Sequence, residues 1–265
     1  MVARIADRLV ECKEAGRRAF VAFLTAGDPS LERTVSAALE LEKAGVDVLE
    51  LGVPFSDPLA DGPVIQRATQ RALAAGVTLP RVLEMVREAR AETAVPIVFF
   101  TYYNPILAFG LDAFCRAAAA AGADGVLVAD LPPEEAGPLR AQADAVGLHV
   151  AHFVAPTSTP ERMKKIARAS GAFIYLVSLT GVTGVRSELP PDLMQHLRVL
   201  RNITTKPICV GFGIATPEHA ALVGRVADGV IVGSAIVNLV ERHQGSPALV
   251  SEVGDFIAAL KAGCR

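Results

Sequence analysis

Eight short runs rich in Val, Ile, Leu and Phe recur along the chain, each bounded by glycine or proline and each apolar on both faces. They are FVAFLTA (20–26), VDVLELGV (46–53), PIVFFTY (96–102), DGVLVAD (124–130), HVAHFVA (149–155), FIYLVSL (173–179), KPICVGF (206–212) and DGVIVGS (228–234). A strand wetted on one side alternates apolar and polar residues, whereas a run without alternation belongs to a sheet covered on both faces, the usual state of a parallel sheet under helices. Stretches of helical periodicity separate the runs, and this eightfold alternation predicts a (β/α)8 barrel. At 265 residues the whole chain, 1–265, fits one such domain. Ahead of the first run, MVARIADRLVECKEAGRRAF places apolar residues at helical spacing and predicts an extra N-terminal helix. A doubly wound open sheet is the alternative, and it lacks its dinucleotide glycine fingerprint after the first strand.

Charge narrows the partners. The formal net charge is -2 and no basic run exceeds Lys164-Lys165, which argues against nucleic acid and against an anionic membrane surface. Small solutes or other proteins remain. Cys12, Cys115, Cys209 and Cys264 are scattered, with no Cys-x-x-Cys spacing, and read as reduced, packed thiols rather than as zinc ligands or a disulfide framework. No signal-peptide core and no stretch of 18 uncharged apolar residues is present, so a soluble, cytoplasmic protein is expected.

The turns agree with the barrel. Gly45, Gly122, Gly147 and Gly171 stand just before strands, where a helix end needs a residue tolerant of positive φ. The segments after the second and sixth runs, GVPFSDPLADGP and LTGVTGVRSELPP, are long, and long irregular loops in such folds serve as lids or binding segments.

One of these loops follows an unusual residue. Within VDVLELGV, Val46, Val48, Glu50 and Gly52 share one face while Leu49, Leu51 and Val53 share the other, wholly apolar, face. The apolar face meets the helices, so Glu50 points into the barrel mouth, where this architecture holds its catalytic side chains. An ionised carboxylate buried alone costs several kcal/mol. It must find a cation, take up a proton, or serve a function. A salt-bridged structural Glu is the plain alternative, although no Lys or Arg occupies the C-terminal half of any predicted strand. Asp61, eleven positions on in a loop with Pro54, Pro58 and Pro63, by itself reads more readily as a turn or cap residue than as a chemical one, and Asp57 still more so as a turn acid.

The last two runs end in glycine. Gly211-Phe212-Gly213 precedes a helix start with Thr216 as N-cap and Pro217 as first helical residue, and Gly233-Ser234 opens directly into AIVNLVERH. That pair of turns suits the phosphate site this fold often forms after its final strands, with ordinary glycine-rich turns as the alternative. No strand carries a lysine suited to a Schiff base, and His149 and His152 fall on opposite faces of one strand, so neither imine chemistry nor a metal cluster is indicated. Acid/base chemistry by carboxylates on a small phosphorylated substrate remains.

The segment LELGVPFSDPLADGPVIQ, together with FVAFLTAGDP, TYYNP, VLVADLP, APTST, LVSLTGVTG, VGFGI and GSAIV in that order, resembles the tryptophan synthase alpha chain family along the whole sequence. The resemblance implies a barrel that cleaves indole-3-glycerol phosphate to indole and glyceraldehyde 3-phosphate. It implies no cofactor in this chain, with pyridoxal phosphate on a partner beta chain in an alpha2-beta2 heterotetramer docked over the second and sixth loops. By resemblance Glu50 is the general acid/base and Asp61 the carboxylate that binds the indole N-H. Phe23, Phe100, Leu127, Tyr175 and Phe212 correspond to the indole pocket and Thr183 to a loop residue that orients the aspartate. Gly184, Gly213, Gly233 and Ser234 correspond to the phosphate site, and Phe100 stands where many relatives carry Leu. A subunit whose main task is to activate its partner, and another phosphate-binding barrel such as an isomerase or synthase, are the competing expectations.

Overall fold

The computed structural model describes residues 4–178, 189–211 and 213–264. Among them nine strands pair in parallel: β1 (Ala19–Thr25), β2 (Val48–Gly52), β3 (Ile97–Thr101), β4 (Gly125–Val128), β5 (His149–Ala151), β6 (Phe153–Val154), β7 (Ile174–Val177), β8 (Ile208–Gly211) and β9 (Gly229–Val232). Their order is β5-β4-β3-β2-β1-β9-β8-β7-β6. The two ends of that sheet are consecutive pieces of one predicted strand, so it curls into a barrel interrupted only between them. The fifth run therefore does not form the continuous strand its sequence suggests. It breaks at His152, which is buried beside the loop after β4. The two pieces pair with different neighbours, β5 with β4 and β6 with β7.

Among the described residues twelve helices accompany the strands: α1 (Arg4–Glu14), α2 (Leu31–Lys43), α3 (Pro63–Ala74), α4 (Leu79–Ala89), α5 (Tyr103–Phe109), α6 (Leu111–Ala121), α7 (Gly137–Val146), α8 (Pro160–Ala169), α9 (Pro191–Ile203), α10 (Pro217–Gly224), α11 (Ser234–His243) and α12 (Leu249–Ala262). The outward faces of the strands, including Leu49, Leu51, Phe99, Val126 and Val230, pack on these helices in one large core. The inward faces form a second core of Val21, Val48, Val98, Leu127, Ala151, Cys209 and Ile231. Ile5, Leu9 and Cys12 join this inner core, so α1, the extra N-terminal helix, closes the lower end of the barrel. All four cysteines are free and buried.

Local chemistry sets the helix ends. Ser30, Thr159 and Thr216 each accept a hydrogen bond from a first-turn N-H, and Pro217 follows Thr216 as the first helical residue. Gly45, Gly122 and Gly147 adopt positive φ of 93°, 97° and 76° before their strands. Gly171 does not. There Ser170 ends α8 in an extended conformation, and the Gly171 N-H donates to the Val150 carbonyl at 2.8 Å. A Cβ on Gly171 would approach His149 at 3.2 Å, so glycine serves close backbone approach rather than a left-handed turn.

Acids at the lower end, buried at Asp47 and Asp124 and half-buried at Asp228, are neutralised. Asp47, Asp124 and Asp228 precede strands β2, β4 and β9, and each accepts a backbone N-H from the preceding strand's first residues, Phe20 at 2.9 Å, Ile97 at 2.8 Å and Ile208 at 2.8 Å. Each also meets cations: Asp47 is held by Arg17 at 2.6 Å and Lys261 at 2.9 Å, Asp124 by Arg4 at 2.6 Å and Arg90 at 2.8 Å, and Asp228 by Arg201 at 2.6 Å. For Asp47, burial pushes the carboxyl pKa up, but Lys261, Arg17 and the Phe20 N-H outweigh it and leave the pKa lowered.

Candidate active site

Glu50 lies in the centre of β2, in register with Phe23 of β1 and Val98 of β3, and is 1% exposed. Its neighbours Leu49 and Leu51 face the helices and Val48 the inner core, so strand alternation sends the Glu50 side chain into the barrel. Unlike the acids below, it has no ion pair among the described residues, and its Oε1 finds no hydrogen-bond partner there. Burial alone raises its pKa from 4.5 to about 8. Glu50 is therefore a neutral acid at pH 7, held where an ionised one would be costly.

A cavity of about 590 Å³ opens above it, within the size range of small-molecule sites. Asp61 reaches this cavity from the loop after β2. That loop is pinned by its own backbone, with the Asp61 N-H donating to the Pro58 carbonyl at 3.1 Å and the Gln66 amide donating to the Asp61 carbonyl at 2.9 Å. Burial raises the Asp61 pKa, and a hydrogen bond donated by the Tyr102 hydroxyl pulls it back, to about 6. The same hydroxyl accepts the Ala60 N-H at 3.0 Å, so Tyr102 fixes both the backbone and the side chain of this turn. Asp57 is exposed and takes a hydrogen bond from the Ser56 hydroxyl instead.

Four aromatic rings form one arc of the cavity wall. Phe23 and Phe100 meet edge-to-face at 5.6 Å and Phe100 and Phe153 likewise at 5.9 Å, while Phe153 and Tyr175 are tilted at 4.8 Å. Two glycines make room for them. A Cβ on Gly52 would lie 2.6 Å from the Phe23 ring, and one on Gly211 would lie 2.8 Å from the Tyr175 hydroxyl. The result is an apolar slot for a flat aromatic group with two carboxylates on its border.

The far end is built from backbone. Gly211 at the end of β8, Gly213 and Ile214 after it, and Gly233, Ser234 and Ala235 after β9 line it. Gly213 has φ of 55°, a left-handed conformation that glycine adopts freely. Ser234 and Ala235 open α11, and first-turn N-H groups have no partner inside a helix. With the positive end of the helix dipole they favour an anion there. No cluster of three His, Cys, Asp or Glu residues suited to a metal occurs among the described residues.

A family model described as tryptophan synthase alpha chain matches residues 9–262. The chain belongs to the tryptophan synthase alpha chain family. The tryptophan synthase alpha chain of Citrifermentans bemidjiense is 51% identical over 262 residues, covering 99% of this chain and 98% of its own. The crystal structure of tryptophan synthase subunit alpha from Legionella pneumophila superposes with a TM-score of 0.91 at 39% identity, covering 100% of this chain and 99% of that one. A chain from the tryptophan synthase a2b2 complex of Pyrococcus furiosus gives a TM-score of 0.87 at 37% identity, covering 93% of this chain and 99% of that chain.

Against the family-derived expectations, Glu50, Asp61, Phe23, Phe100, Tyr175, Gly213, Gly233 and Ser234 line this one cavity. Leu127 does not. It is the register partner of Phe100 and is fully buried in the inner core, while the larger phenyl ring beside it forms the cavity surface. Thr183, Gly184 and Phe212 lie outside the described residues. Sequence reasoning missed Tyr102, Phe153 and Asn238. Strand alternation held the signal for the first two, since Tyr102 follows Phe100 by two residues and Phe153 follows Ala151 by two. Asn238 sits four residues after Ser234, hence on the same face of α11.

Proposed function

We propose that the chain performs the alpha reaction of tryptophan synthase, with Glu50 as general acid/base and Asp61 as the charge-stabilising carboxylate. Indole-3-glycerol phosphate lies with its bicycle in the aromatic slot and its phosphate on the Gly213 and Gly233–Ser234 turns. Protonated Glu50 gives its proton to indole C3, which creates a cationic indolenine. Asp61, ionised, accepts a hydrogen bond from the ring N-H and stabilises that positive charge. The bond from C3 to the glycerol chain then breaks, its electron pair restoring the indole, while Glu50 takes the proton of the adjacent hydroxyl as the aldehyde forms. Indole and glyceraldehyde 3-phosphate result, and Glu50 ends protonated as it began.

The observation that carries this reading is the isolation of Glu50, a buried acid with no cation partner among the described residues, in a fold that ion-pairs its other deeply buried acids near the barrel floor. The pKa order supports it further, because between about 6 and about 8 Asp61 is charged while Glu50 still holds its proton. The reaction asks for no cofactor in this chain, and pyridoxal phosphate belongs to the beta chain. The two chains work in the cytoplasm as an alpha2-beta2 assembly, with the cavity rim, where Leu59 is 93% exposed, covered by the partner. The test is indole release. Glu50→Gln abolishes it while an uncleavable substrate analogue still binds, and turnover retained by this variant refutes the assignment.

A further inference from the structure

Away from the cavity, four charged side chains join the loop after β1 to two helices, α3 and α11, that line it. Arg71 on α3 grips Asp28, in the loop after β1, through two parallel hydrogen bonds of 2.8 Å each. Its remaining nitrogen donates to Glu241 on α11 at 2.8 Å. Arg67, one turn earlier on α3, takes the same Glu241 through bonds of 2.9 and 2.7 Å. The Asp28 side chain is 2% exposed, so this junction is no loose surface pair.

Both helices begin at the cavity. Asp61 stands two residues before the start of α3, and Arg71 lies eight residues into it, roughly 12 Å along the axis. Ser234 is the first residue of α11, and Glu241 lies seven residues on, about 10 Å along. The two helices are thus arms of similar length, pinned together at one ionic joint and ending at the two groups that a substrate must touch at once.

We propose that Arg71 is a positioning residue that fixes the separation between Asp61 and the anion-binding turn at Gly233–Ser234. Only a planar fork can hold Asp28 bidentately and still reach a second carboxylate, so lysine cannot replace it. The inference rests on the proposed cleavage reaction for its catalytic consequence, but not for its structural one.

A structural role and a positioning role separate in a double variant. Arg71→Met strands the buried Asp28 carboxylate and lowers the melting temperature; adding Asp28→Asn removes that stranded charge and restores most of the loss. If the joint only stabilises the fold, the double variant also recovers wild-type kcat/KM for indole-3-glycerol phosphate, and the proposal is overturned. If Arg71 positions the arms, the double variant and Arg71→Lys both stay about tenfold or more below wild type, because small misplacements are costly in rate. Amide hydrogen exchange across residues 57–62 and 233–236 reads the same point without substrate: faster exchange in the thermally restored double variant supports the joint, and wild-type exchange rates overturn it. A wild-type chain that releases no indole refutes the cleavage reading alone, and the exchange comparison still decides the role of Arg71.

Discussion

Glu50→Gln makes a thermodynamic prediction as sharp as its catalytic one. In the unfolded chain Glu50 titrates near its ordinary 4.5, and in the native protein near about 8. Between those values the native state holds a proton that the unfolded state has lost, so native stability falls as pH rises. Below pH 4.5 both states are protonated and there is no penalty; above about 8 the penalty is complete. Each pH unit is worth about 1.4 kcal/mol. From 4.5 to pH 7 the burden reaches about 3 kcal/mol, and from 4.5 to 8 about 5 kcal/mol, order-of-magnitude figures for a group with no stabilising partner among the described residues. Glutamine carries no such proton. Its amide, buried at the same spot, has its own cost, but that cost does not vary with pH. Urea unfolding of wild type and variant at intervals from pH 5 to 8.5 therefore gives a stability difference that tilts towards the variant by about 1.4 kcal/mol per pH unit, levelling off near pH 8. Contributions from titrating groups that do not interact with Glu50 cancel in the difference. A difference that stays flat across that range would falsify the claim that this carboxyl is protonated in the native state by desolvation.

The catalytic pH profile follows from the same two acids: kcat/KM for indole release is bell-shaped, rising with Asp61 ionisation near pH 6 and falling as Glu50 loses its proton near pH 8, measured over pH 5 to 9.5. Tyr102→Phe removes the hydrogen bond that lowers the Asp61 pKa, so the acid limb of that profile moves to higher pH. Gly211→Ala drives a methyl group to 2.8 Å from the Tyr175 hydroxyl and 2.9 Å from its ring, costing about 1–3 kcal/mol in urea unfolding and raising KM as the slot deforms.

The barrel was legible because parallel strands bury both faces, which leaves uninterrupted apolar runs that no solvent-facing strand shows. The break at His152 was not. HVAHFVA keeps its in-out alternation on both sides of the seam, and what divides it is a change of pairing partner, from β4 to β7, a long-range condition absent from seven residues of sequence. Glu50 stood out because a lone acid in such a run has no local explanation. Asp61 and Tyr102 support each other only in three dimensions, 41 positions apart in the chain, so neither announces the other. Leu127 illustrates the reverse difficulty: its position faces inward as expected, but the bulk of neighbouring Phe100 decides which of the two reaches the cavity.

The plug that Ile5, Leu9 and Cys12 form beneath the strands has a consequence for traffic. A cylinder stoppered at its base has a single doorway, so whatever enters and both fragments that leave share one threshold. Handing indole to a neighbour then depends on where that neighbour sits over the opening, and the order in which the fragments depart becomes a matter of which one stands nearer the door.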